Sequence, residues 1–224
     1  RVLSGTIEEA VSLWMHGYRY WFEALTHKVI NSFKELREGL YQARKIAQSG
    51  RDISTRSREM RFVLLPRFNM ATLATMIEPL RIANYVSGEA LYRWEFLTPD
   101  DGSVQASNMM ELACHGLNHP IQPGATLDCV ALLGSWGAER FFDNRLANWL
   151  RGHERHGVAL IGVEIGSYIF ARAGLLTQRQ ATTHWSFFAG FAESFPHVDA
   201  REQMFTIDKQ MMTCAGDWPE STSS

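Results

Sequence analysis

Apolar positions Ile7, Val11, Trp14, Met15, Tyr18, Trp21 and Phe22 recur at helical spacing, which predicts an amphipathic helix near the start of the chain. Thr6 with Glu9 has the form of a capping box and places the helix start there. A second helix is expected over about 26–47, with Gly50 as its stop. Beyond it the periodicity ends: the stretch SGRDISTRSRE is rich in charge and turn formers. Residues 1–50 therefore read as a helical segment of no evident role, and 51–59 as a linker.

After the linker, short apolar runs alternate with helical patterns. Phe62, Val63, Leu64 and Leu65, closed by Pro66, predict a first strand, and a helix over about 72–86 stops near Gly88. A strand at 92–97 ends at the turn Pro99-Asp100-Asp101-Gly102, and the Gly-, Pro- and His-rich stretch 114–124 reads as a loop. A buried strand at 129–133, a helix from Gly137 to about His156, a strand at 158–163 and a helix at 167–173 continue the alternation. A helix near 185–194 and extended segments at 204–207 and 210–213 close it. Residues 60–216 are thus expected to form an α/β domain with a doubly wound, mainly parallel sheet covered on both faces, followed by a tail at 217–224.

Charge narrows the function classes. Lys plus Arg number 22 and Asp plus Glu 24 in 224 residues, so the net charge of −2 supplies no field to hold nucleic acid by phosphate neutralisation. The three cysteines, Cys114, Cys129 and Cys214, form no CxxC pair and read as reduced thiols, which with the absence of a leader-like start argues for the cytoplasm. No apolar run reaches the roughly 18 residues of a membrane span. Cys114, His115 and His119 lie in a loop without a fourth ligand nearby, so no metal is expected, and nothing in the sequence asks for a cofactor.

The most informative stretch runs from Val158 to Leu176, where a buried strand turns sharply into a helix. Such an elbow aims one side chain at a helix N-terminus, and the residue aimed here is Glu164. The segment resembles the elbow of PfpI-like proteins, of the class I glutamine amidotransferase-like kind and flavodoxin-like in fold, where a cysteine precedes a Gly and a helix ending Ala-Gly-Leu-Leu. Counting back from Ala173-Gly174-Leu175-Leu176, the family cysteine falls on Glu164. Ile77-Glu78-Pro79-Leu80-Arg81-Ile82-Ala83-Asn84 and Ala181-Thr182-Thr183-His184-Trp185 are similar to stretches in the effector-sensing domains of AraC-type regulators related to GlxA, including those responding to glycine betaine and carnitine. The resemblance covers about 60–216.

It implies an effector-sensing domain without catalysis, since a carboxylate at 164 offers no attacking thiolate. It also implies a homodimer, and contact with DNA only through a helix-turn-helix module that such regulators carry after a Thr-Cys-Ala-Gly stretch. Here Thr213-Cys214-Ala215-Gly216 leads into Asp217-Trp218-Pro219-Glu220 and four last residues, so that module is absent from this chain. Glu164 suits a ligand with a cationic head, or else accepts hydrogen bonds as an internal anion. Trp136, after a strand end, offers a cation–π face or packs on its loop, and Trp185 has the same two readings. His184 corresponds to the histidine beside the family cysteine and is expected to be a hydrogen-bonding residue. The backbone N–H groups of Ser135, Ile165 and Gly166 are candidates to receive a ligand carboxylate. The expected effector is a small cationic or zwitterionic amine such as betaine, carnitine or arginine. Two other readings stand beside this one: a PfpI-like hydrolase, amidase or hydratase, and a truncated remnant without function.

Overall fold

A computed structural model describes residues 56–141 and 143–216. The expected helices within 1–50, most of the linker and the tail lie outside these residues. The first strand, β1 (Arg58–Leu64), begins inside the expected linker because Arg56 and Arg58 both pair with Asp128 and start the strand early.

The remaining elements are α1 (Met70–Ser87), β2 (Tyr92–Thr98), β3 (Gly102–Gln105), β4 (Glu111–Gly116), β5 (Leu127–Gly134), α2 (Asn144–Arg155), β6 (Ala159–Glu164) and α3 (Gly166–Arg172). They are followed by β7 (Gln180–Ala181), α4 (Phe188–Ser194), β8 (Asp199–Ala200), β9 (Phe205–Asp208) and β10 (Met211–Cys214). The main sheet runs β3-β4-β2-β1-β5-β6-β10-β9 and is parallel except at its two edges, where β3 and β9 pair antiparallel. One apolar cluster, with Leu146, Leu150, Ile169 and Phe170, packs α2, α3 and α4 on one face. The other, with Phe62, Phe68 and Leu73, packs α1 on the opposite face. This is the doubly wound, mainly parallel α/β fold that the alternation predicts.

The differences lie in the weakly patterned parts. The loop expected at 114–124 begins with β4, and β3 and β4 form an edge hairpin in which Gly102 pairs with Cys114. Their exposed faces leave too few apolar positions to show a strand period, and Met109 and Met110 stand exposed at the tip. The single helix expected from Gly137 to His156 is a short 3-10 turn (Ala138–Arg140) and then α2, which starts at Asp143, whose carboxylate accepts from the Arg145 N–H at 2.7 Å. Likewise Trp185 to Phe187 form a 3-10 turn before α4. Among the described residues no helix is long and apolar enough to cross a membrane.

Along the chain the strands move from β1 outward to β2 and β4, then return to β5 and continue the other way to β6 and β10. The direction reverses between β1 and β5. In open α/β sheets the carboxyl edge at such a reversal is where loops part and ligands enter.

Candidate functional site

At that edge the chain leaves β6 through Glu164, whose φ is 54°, a left-handed conformation that costs a non-glycine residue on the order of 1–3 kcal/mol. The surroundings hold it there. The Glu164 carbonyl accepts from Thr183 Oγ1 at 3.0 Å and from Ser167 Oγ at 3.3 Å, and its carboxylate Oε1 accepts from Thr72 Oγ1 at 2.7 Å. Three separate segments thus pin one residue that is only 4% exposed.

Two glycines make the close packing of the elbow possible. A Cβ on Gly166 would collide with the Leu132 carbonyl oxygen, so only glycine lets α3 start against β5. Gly216, at φ 77°, presses on the Glu164 side chain so closely that a Cβ would overlap its Cγ. The segment after β10 therefore packs directly against the acid.

The cavity here has a volume of about 270 Å³ and is lined by Arg67, Asn69, Ser107, Ser135, Trp136, Glu164 and His184. Glu164 ends β6 and the others follow a strand: Arg67 and Asn69 come after β1, Ser107 after β3, Ser135 and Trp136 after β5, and His184 after β7. Ser135 and His184 are buried, whereas Trp136 is 60% exposed at the rim. His184 Nδ1 accepts from the Ser186 backbone N–H at 3.3 Å and lies 2.7 Å from Ser186 Oγ. A larger cavity of about 510 Å³ lies near the ends of β2 and β4, but its Arg145 is already paired with Asp100 at 3.1 Å and with Asp143 at 2.8 Å. Its charge is compensated internally, and it holds no buried acid.

No family model matches the chain. It is 38% identical over 160 residues to the HTH-type transcriptional regulator CdhR of Pseudomonas aeruginosa, which covers 71% of this chain and 46% of that protein. It is 31% identical over 156 residues to the HTH-type transcriptional regulator GlxA of Rhizobium meliloti, over 69% of this chain and 47% of that one. An AraC family transcriptional regulator from Pseudomonas putida matches in structure with a TM-score of 0.61 at 23% identity, over 70% of this chain and 83% of that one. A ThiJ/PfpI domain protein from Brachyspira murdochii matches with a TM-score of 0.57 at 12% identity, over 71% and 87%. The described residues thus share the fold of these solved structures and are similar in sequence to part of the HTH-type transcriptional regulators CdhR and GlxA. The chain spans less than half the length of the curated relatives it matches.

The cavity brings together four of the seven residues singled out from sequence: Ser135, Trp136, Glu164 and His184. The other three stand elsewhere. Ile165 is fully buried and its N–H donates to the Gly134 carbonyl at 3.0 Å, so this donor, expected to face a ligand carboxylate, is spent inside the fold. Gly166 is buried against Leu132, and the helix it opens has only seven residues. Trp185 is 45% exposed with its ring centroid 5.4 Å from that of His184, outside the cavity lining.

Arg67, Asn69, Thr72, Ser107 and Gly216 are the site residues that sequence reasoning missed. Arg67 follows the first strand and was within reach of the strand-end rule that singled out Trp136. Ser107 follows the edge hairpin, which has no clear pattern.

Cys114, Cys129 and Cys214 are free thiols and none lines the cavity. Burial pushes the Cys114 thiol up to about 11, and burial together with the nearby Asp128 charge pushes Cys129 up to about 12. Neither of these two supplies a thiolate at neutral pH.

Proposed function

We propose that this domain is the effector-sensing part of an AraC-type transcriptional regulator and binds a small cationic or zwitterionic amine, of the betaine, carnitine or arginine type, without catalysing its turnover. The observation that carries the reading is Glu164: a carboxylate 4% exposed on the wall of a cavity at the carboxyl edge where the strand order reverses. A buried carboxylate is costly to desolvate and is stabilised by an opposite charge brought to it. The exposed Trp136 on the rim adds an aromatic face, which attracts an alkylated ammonium by roughly 0.5 to 2 kcal/mol.

The absence of catalysis follows from the elbow. The resemblance places the family's nucleophilic cysteine at 164, and a carboxylate there does not open amide bonds as a thiolate does. The kinship to regulators supports the same conclusion. In the proposed mechanism, occupancy of the cavity biases a homodimer and the signal passes to a DNA-binding module outside this chain. The domain's location follows as the cytoplasm. A thermal-shift screen with quaternary ammonium compounds and basic amino acids tests the reading, because a ligand that binds only the native state raises its melting temperature. Amines are expected to raise it and neutral analogues of the same size to leave it unchanged. A response confined to anions or sugars would overturn the assignment.

A further inference from the structure

The turn after β1 carries an arginine where the backbone calls for glycine. Phe68 N–H donates to the Leu65 carbonyl at 3.1 Å, closing a four-residue turn with Pro66 at its second position and Arg67 at its third. Arg67 has φ 65°, the left-handed value that a type II turn demands at this position and that glycine adopts without strain. The turn cannot relax, because Arg67 N–H donates to the Gln105 carbonyl at 2.8 Å and Ser107 N–H donates to the Phe68 carbonyl at 2.9 Å. Strain of this kind persists only where the surrounding structure enforces it, and it clusters at ligand-binding and active sites.

The Arg67 side chain offers little structural use. It is exposed, and its guanidinium makes no hydrogen bond or ion pair among the described residues. Yet it lines the same cavity as Glu164, and it is the one permanently cationic side chain among the lining residues. Among the described residues no ion pair joins Arg67 to Glu164. The Ile165 N–H, the alternative receptor for an anion, is already committed to Gly134.

We propose that Arg67 anchors a ligand carboxylate by bidentate hydrogen bonding, so that this cavity selects zwitterionic amines over amines that lack an acid group. The inference rests on the reading of Glu164 as the cation's partner. A cation without a carboxylate leaves the guanidinium and the ligand head repelling each other in one small space; a carboxylate at Arg67 removes that penalty and adds charge-assisted hydrogen bonds.

Calorimetric titration with two pairs that differ by the carboxylate, glycine betaine with choline and arginine with agmatine, tests it on the wild-type chain and on Arg67→Gly and Arg67→Lys. The wild type is expected to bind the acid-bearing member of at least one pair roughly 10- to 100-fold more tightly. Arg67→Gly abolishes that preference while its melting temperature stays level or rises, since glycine suits the turn. Arg67→Lys keeps the charge without the fork and retains part of the preference. Equal wild-type affinity within both pairs, or equal weakening of both members in Arg67→Gly, overturns the role of Arg67 and leaves the reading of Glu164 standing. Failure of all four compounds to bind the wild type overturns both.

Discussion

Thr72 on α1 donates its hydroxyl to the Glu164 carboxylate at 2.7 Å, tying two elements from opposite sides of the strand-order reversal across 92 residues. The contact holds the acid's orientation in the cavity. Thr72→Val keeps the shape of the side chain and removes the donor. It is expected to destabilise the fold by about 1–3 kcal/mol in urea unfolding, the usual cost of withdrawing a hydrogen bond from a charged buried group. A change below about 0.5 kcal/mol would mean that the contact orients nothing.

Gly216 gives a second test, because its left-handed φ and its crowding can be separated. Gly124 has nearly the same φ, 80° against 77°, but nothing lies near the position of its Cβ. Gly124→Ala is expected to cost about 1–2 kcal/mol for conformation alone. Gly216→Ala adds an overlap with the Glu164 side chain, for roughly 1–3 kcal/mol more. Equal losses in chemical denaturation would show that the segment after β10 does not press on the acid.

Trp136 separates binding from folding in the opposite sense. At 60% exposure it contributes little to the core, so Trp136→Ala is expected to shift stability by less than about 0.5 kcal/mol. Loss of a cation–π face should weaken ligand binding by about 1–2 kcal/mol. A collapse in melting temperature with unchanged affinity would make it a packing residue.

Much of this architecture is legible in the residues themselves. The central strands, buried on both faces, read as unbroken apolar runs such as Phe62 to Leu65, and the strand-to-helix elbow is visible from Val158 onward. What escaped depends on features with no local signature. The β3–β4 hairpin has one solvent-facing side and alternates too briefly to show a period, and Ser107 follows from it. Thr72 and Gly216 meet Glu164 only through the fold, across 92 residues in one case. The committed Ile165 N–H is equally invisible, since its partner, the Gly134 carbonyl, lies on a neighbouring strand.

The buried thiols predict a pH dependence. The Cys129 thiol is raised to about 12 in the fold from an ordinary value of 9.0, so the folded state favours the protonated form. Its stabilising effect is complete below pH 9 and is lost as pH rises from there toward 12, because the unfolded chain releases the proton first. Thermal melts between pH 8 and pH 11 should fall more steeply for the wild type than for Cys129→Ala. Parallel curves would contradict the burial of this thiol.

The central claim is that the Glu164 charge binds a ligand cation, and Glu164→Gln tests it because it keeps the shape and removes the charge. Calorimetric titration of this variant with the strongest ligand from the amine screen, beside its melting temperature, reads binding and folding separately. The expected result is a loss of about 2 kcal/mol or more in binding free energy, larger than any loss of stability. Unchanged affinity with a lowered melting temperature would contradict the account and leave Glu164 as a structural anion of the elbow.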